Sequence, residues 1–419
     1  MFRTTLLTLF LTAALCSLAA AAGRPAGHLS DLPASAQFRV LEALDRDSRW
    51  GQLAELTASN GTNTDYFGLA VAIDGNTVVV GATGAQVGSN ANQGAAYVFV
   101  KSQSGWENMT QVAILTASDG KAQDRLGFSV AIGGDFIVVG GSEGGYLYEK
   151  PKAGWKNRNE TVKLSCGPLV AISGDTVACG NAVYVKPETG WKSIKTYNAL
   201  LEATDPGTLF FSLAIHGDVV VAGNWEYSNE QGAAYVFVRP KAGWGATNVG
   251  RIQTQTARLT ASDGAADDGL GWSVAIHGDA VAVGAPGHSA NDCTHCGAAY
   301  VFVKPADGWN DMTQTAELTD GVLQGESNLG SAVAIQCRTL LAGNPNGDNG
   351  NNHLGSAYLF IEPSAGWTNS DEPNATFTAS DGQRFDNFGI SAAISGNTVV
   401  IGSNRSNIGL TGAAYVFGH

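Results

Sequence analysis

The sequence predicts an all-β chain folded as a seven-bladed β-propeller, from three observations: a motif recurring seven times, units that read only as strands, and ends that complete each other. In each copy a Gly, once a Phe, is followed by Ala four residues later, Ile five later and Gly thirteen later. The starts are Gly68, Gly127, Gly167, Phe210, Gly271, Gly330 and Gly389, and the closing residues are Gly81, Gly140, Gly180, Gly223, Gly284, Gly343 and Gly402. Successive starts lie 59, 40, 43, 61, 59 and 59 residues apart, so the third and fourth units enter on short connections.

Within a unit, strand a is of the FGLAVAI type, and strand b is a β-branched run such as Val78-Val79-Val80 or Val399-Val400-Ile401. Turns such as Asp74-Gly75-Asn76 and Ser395-Gly396-Asn397 join them as tight hairpins. Strand c is GAAYVFV at 94–100, 232–238 and 297–303. Strand d, of the QVAILTAS type, follows a Gly-Trp turn at Trp106, Trp155, Trp191, Trp244, Trp309 and Trp367. No segment beyond the N-terminus carries an amphipathic helical period.

The chain stops after strand c of the seventh unit, at Tyr415 to His419, while Trp50 and Gln52 to Ser59 match a strand d with no unit before it. Pairing the two segments closes the ring and leaves no exposed edge strand. Small residues in strand a suit seven strands converging on one axis, with Ile, Val and the aromatic side chains filling the gaps between blades.

The Phe-Gly starts at Phe67-Gly68 and Phe388-Gly389, with Gly284-Ala285-Pro286, resemble the FG-GAP repeat of integrin alpha-chain head propellers, over residues 50–418. That resemblance implies a binding module that recognises proteins or cell-surface ligands and does no chemistry. In integrin-type repeats several a to b hairpins hold a calcium loop of the Asp-x-Asp-x-Asp-Gly type. Here each such hairpin is a tight turn with at most one acidic residue, so those calcium sites are not carried over, and no other cofactor is implied.

Residues 1–22 read as a signal peptide, with Arg3 ahead of an apolar stretch from Leu6 to Leu18 and Ala20-Ala21-Ala22 at the cleavage site; residues 23–49 are a leader. A secreted or extracellular location follows, with no membrane span. Sequons at Asn60, Asn108, Asn159, Asn374 and Asn404 are glycosylation candidates. The net charge of −13 argues against nucleic acid and anionic membrane. The expected partner is an extracellular protein or glycan, met by a monomeric propeller.

Five cysteines follow the signal peptide. Cys166 and Cys179, on strands a and b of the third unit, are placed for a cross-strand disulfide, and Cys293 and Cys296 for a loop-stapling one; a zinc site is the alternative for the second pair. Cys337, in a turn with no evident mate, reads as a free thiol or an intermolecular partner.

Alternating strand direction places the d to a and b to c connections on one face, which collects the long, variable loops. In the fourth unit the b to c loop offers Trp225, Glu226 and Tyr227 beside a low rim left by the short loops of the second and third units. Exposed aromatics in loops anchor ligands or stack on sugars, so these residues border the predicted recognition surface; the other reading folds Trp225 and Tyr227 back over the third blade.

Asp65, Asp124, Asp268 and Asp386 each stand three residues before a start Gly and are expected near the channel mouth. Asp119, Asp263, Asp320 and Asp381 begin the same loops as Ser/Thr-Asp-Gly. Such aspartates cap their own turns by bonding nearby amides. The sharper reading of the first four is a cluster that binds calcium, another cation or a basic side chain. No Gly-x-Ser-x-Gly elbow, HExxH or P-loop occurs, the seven His are scattered, and strand a offers mostly Ala, Ser, Val and Leu, so no catalytic residue is expected. A structural matrix component and, further down, a propeller hydrolase or lyase are the alternatives to a recognition module.

Overall fold

In the computed structural model the described residues are 50–419, without 195, 206, 246–250, 290–292, 322–326, 348–353 and 406–410. The segments read as a signal peptide and leader lie outside them. Seven small sheets form the ring. The first blade is typical: strand a Phe67–Asp74, strand b Thr77–Ala82, strand c Ala95–Val100 and strand d Ala113–Thr116 run antiparallel, joined by tight a to b turns. Strand a of each blade lies against strand a of the next, and that of the seventh returns to the first.

Closure follows the predicted exchange of ends. Gly51–Thr57 pairs antiparallel with Ala413–Gly418, with Gly51 opposite Gly418, Glu55 opposite Tyr415 and Leu56 opposite Ala414. Trp50 takes the place of the missing seventh Gly-Trp tryptophan, its ring 5.6 Å from that of Phe377.

No single core fills the ring; apolar side chains pack in seven clusters, one between each pair of adjacent blades. Each Gly-Trp tryptophan is buried in such a seam. Trp106, for instance, packs with Tyr97 and Phe99 of its own blade and with Leu56, Val400 and Val416 of the seventh. Stability in such an array is built from neighbour interfaces, as in other repeat folds.

The two glycine series meet at these seams. The carbonyl of Gly343 accepts a 3.0 Å bond from the Gly330 amide of its own blade, while its α-carbon faces the backbone of Gly389 in the next. An added Cβ at 343 would overlap the Gly389 carbonyl oxygen, and Gly389 itself has φ 98°, open to glycine. Backbone cannot step aside as a rotamer can. We therefore expect Gly343→Ala to cost about 3 kcal/mol, read as a lowered urea midpoint, while Gly51→Ala, with nothing within 4 Å, leaves it in place. Equal midpoints would contradict this account of the repeat. Phe210 tolerates the start position because it does not adopt the left-handed backbone of Gly68, Gly127, Gly271, Gly330 and Gly389.

Two further sets of inter-blade links were not foreseen. Short segments preceding strand d run parallel to strand d of the previous blade: Met109–Thr110 beside Gly51–Thr57, Arg158–Asn159 beside Ala113–Thr116, Ile252–Thr254 beside Ala199–Glu202, and Met312–Thr313 beside Ala257–Thr260. Gln111, Gln255 and Gln314 just beyond three of them, and Gln52 in the closing strand, accept the amide N–H of Ser59, Thr204, Ser262 and Ser380 respectively in the preceding blade, at 2.8–3.0 Å. At the inner ring, Ser212, Ser273 and Ser391 donate to the carbonyls of Gly271, Gly330 and Gly68 at 2.7–2.8 Å, so the strand-a serines stitch blades together.

Cys166 and Cys179 form the predicted disulfide, with Cα atoms 5.6 Å apart, although Cys166 precedes strand a (Val170–Ser173) instead of lying on it. Cys293 and Cys296 are also bonded, closing their short loop. Cys337 sits in the a to b turn of the sixth blade, between Ala332–Gln336 and Thr339–Asn344, and the expectation about its thiol involves a mate outside the described residues.

Candidate functional site

The d to a and b to c loops share one face, where bridges such as Gly94 with Leu126 and Gly232 with Leu270 join the loop of one blade to that of the next. Parts of the b to c loops of the fifth, sixth and seventh blades lie outside the described residues. The residue after each start Gly or Phe emerges here, at the rim of the axis: Leu69, Phe128, Phe211, Trp272 and Ile390 among them. Phe128 is 46% exposed and Trp272 47%. Trp225 leans into this row, its ring 5.2 Å from Phe211 and 5.7 Å from Trp272, so blades four and five present three aromatic rings side by side.

Of the predicted trio, Trp225 therefore belongs to a surface patch and Glu226, next to it in the chain, is exposed, but Tyr227 turns inward. Its ring packs 6.5 Å from Tyr235 and lies 5.2 Å from the Arg258 guanidinium, which holds it against the blade. Phe211, Trp272 and Phe128 escaped notice because they sit beside the repeat glycines and read as strand. The signal was there: apolar residues occupy that position in six of the seven copies.

The aspartates expected at the channel mouth do not converge; each is buried in its own blade, which corrects that placement. Asp65 accepts the Thr62 amide at 2.9 Å, Asp124 that of Lys121 at 2.6 Å, Asp268 that of Ala265 at 2.8 Å and Asp386 that of Gln383 at 2.8 Å. They cap their turns, the reading their periodic recurrence favoured.

Three of the Ser/Thr-Asp-Gly aspartates, Asp119, Asp263 and Asp381, and with them Asp205 of Thr204-Asp205, do something the sequence did not announce, accepting from a tyrosine hydroxyl on strand c. Tyr146 donates to Asp119 at 3.1 Å, Tyr235 to Asp205 at 2.8 Å, Tyr300 to Asp263 at 3.3 Å and Tyr415 to Asp381 at 2.7 Å. The residue opposite that tyrosine on strand d decides the charge balance. Where it is basic it pairs with the aspartate directly: Lys163 with Asp119 at 2.6 Å, Arg258 with Asp205 at 3.1 Å. The Lys163 bond holds Asp119 below the usual carboxylate range.

In blades five and seven the strand-d residue is Glu317 or Glu55, and a cation enters from the b to c loop. Arg405 reaches Asp381 at 2.7 Å, Asp386 at 3.3 Å and Glu55 at 3.7 Å. In blade five it is His288, with Nδ1 3.1 Å from Asp268 and Nε2 3.4 Å from Glu317. Burial opposes its charge, yet these two carboxylates raise its pKa to about 10.

The opposite face carries less. His216 and His277 stack at 4.5 Å in adjacent a to b turns, burial lowers both pKa values, that of His277 to about 4, and His277 Nδ1 accepts the Cys337 amide. A broad open depression of about 910 Å³ near blades two and three is lined by Lys150, Lys186, Asp135 and Asp175, whose charges pair off locally.

The FG-GAP repeat family matches residues 50–99, 109–146, 253–302 and 373–417, segments that coincide with the a, b, c and d strands of this ring. This is an FG-GAP repeat protein. Its seven-bladed ring resembles the integrin alpha-chain head, and the disulfides of this FG-GAP protein are consistent with an extracellular setting. No curated protein matches the FG-GAP chain in sequence. Among solved structures it is similar to the crystal structure of the computationally designed Ika8 protein, at 12% identity over 88% of this chain and 100% of that one, with a TM-score of 0.47. Among the described residues no helix is long and apolar enough to cross a membrane.

Four of the five sequon asparagines, Asn60, Asn108, Asn159 and Asn374, are exposed. Asn404 is 8% exposed, its side-chain oxygen accepting from Asn387, so a glycan there requires its loop to open.

Proposed function

We propose that this FG-GAP propeller is a secreted, non-catalytic recognition module that binds an extracellular protein or carbohydrate through its loop-bearing face. The observation that supports this reading is the Phe211, Trp225 and Trp272 patch, three rings contributed by two blades, with exposed Glu226 next to Trp225 in the chain. Aromatic side chains gathered at a surface supply contact area at small entropic cost and stack equally on sugar faces and on aliphatic side chains. The scaffold beneath is rigid, so the patch is presented without ordering cost. Uneven loop lengths around the face fit recognition better than a uniform spacer does.

The test is a glycan and protein array probed with the purified chain, followed by Trp225→Ala with Trp272→Ala on every hit. Loss of the two rings is expected to weaken binding by about 2 kcal/mol or more, roughly thirtyfold, with the melting temperature unchanged. Hits bound equally by parent and double variant would place recognition elsewhere on the molecule.

A further inference from the structure

Blades five and seven carry the same three carboxylates in the same places. Asp263, Asp268 and Glu317 in one correspond to Asp381, Asp386 and Glu55 in the other, and in both the first accepts a bond from the strand-c tyrosine. Blade seven fills the space between them with a guanidinium that reaches all three. Blade five offers His288, an imidazole that is shorter, carries fewer donors and is itself a metal ligand. We propose that blade five binds a divalent cation of the zinc class through His288 Nε2, Glu317 and Asp263.

The geometry suits that ion. One ligand atom from each of the three residues lies within 4.8 Å of the other two. A tetrahedral zinc with bonds of about 2.0–2.1 Å holds its ligand atoms about 3.3 Å apart, and His288 Nε2 already stands 3.4 Å from Glu317 Oε1. The outer partners are in place too. Asp268, 4% exposed, holds His288 Nδ1 at 3.1 Å, so the other ring nitrogen turns toward the ligand set, the carboxylate–histidine arrangement that orients metal-binding imidazoles. Tyr300 fixes Asp263 in the same way.

Charge favours the ion as well. Three carboxylates around one imidazole leave excess negative charge in a site where His288 is only 5% exposed, and a dication offsets more of it than a proton does. Asp263 is exposed and gives the ion a way in. A nitrogen ligand among so few oxygens disfavours calcium, which takes six to eight oxygen ligands. The site lies among the d to a and b to c loops, across the blade from the a to b hairpins.

Zinc titrated into the chelator-treated full chain, in competition with a chromophoric chelator, is expected to bind one ion per chain and to raise the melting temperature, with calcium giving no such shift. His288→Arg copies blade seven, and is expected to remain folded and to bind zinc at least about a hundredfold more weakly. Glu317→Gln is expected to weaken binding about tenfold or more, and it decides the matter should the arginine variant not fold. Cys293→Ser with Cys296→Ser is expected to bind as the parent does. No zinc binding by the parent, undiminished binding in both His288→Arg and Glu317→Gln, or loss of binding only in the cysteine variant would overturn the proposal.

Discussion

A chain that begins at residue 60 is expected not to close, and to give a broad, non-cooperative melt and self-association where the parent gives a single transition. Residues 50–57 serve three blades at once. Their backbone completes the seventh sheet along Ala413–Gly418, and Trp50 packs on Phe377 while Gln52 caps Ser380, both in or just past the sixth blade. Ala54 and Leu56 are buried in the seam with the first blade, where Leu56 and Thr57 also pair with Met109 and Thr110. Without them a buried apolar strand becomes a bare edge, the template for pairing with other chains. Circular dichroism melts with size-exclusion chromatography read the outcome, and a synthetic peptide of residues 50–59 should restore the transition by occupying the vacant edge. A shortened chain that melts sharply within a few degrees of the parent would show that the ring does not depend on its closing strand.

Arg405→Ala is expected to destabilise the fold by about 3–5 kcal/mol, because it leaves a buried carboxylate, Asp386, and the two partly exposed ones beside it without their cation. The side chain is 9% exposed and Asp386 fully buried, so water replaces little of what is lost. Burial already raises the carboxyl pKa of Asp386, and burial with repulsion from Asp381 raises that of Glu55. Without the guanidinium both rise further above their unfolded values. The folded variant then binds more protons than the unfolded one, so part of its deficit should disappear as the pH falls toward about 4. Chemical denaturation at neutral and acidic pH measures both effects. Lys163→Ala is the contrast: its pair with Asp119 is 34% and 48% exposed, and its loss should cost about 1 kcal/mol at most. A loss below that figure for Arg405→Ala would mean that the three carboxylates have partners enough without it.

Much of the ring was legible because its causes are local. The β-branched runs, the Gly-Asn and Gly-Asp turns and the repeat interval specify the strands and their antiparallel partners within each blade, and an unpaired strand at each end specifies closure. The outer parallel pairs were not legible, being two or three residues long and paired with a neighbouring blade. The candidate site was read in part. Trp225 stood out as an aromatic in a loop, but its neighbours Phe211 and Trp272 lie 14 and 47 positions away and gather only because blades four and five abut. Tyr227 looked equivalent to Trp225 until Arg258, from strand d, drew it inward.

The covalent sequence by itself determined the number of blades, their internal pairing and the exchange of ends, since these follow from periodicity, backbone propensity and turn chemistry acting over a few residues. Only the tertiary structure decided which charges meet. Glu55 and Arg405 are 350 positions apart, yet share one buried cluster, and His288 stands where blade seven holds an arginine. Side-chain partners across a closed ring are set by the distance between blades in space, which no local pattern of residues records.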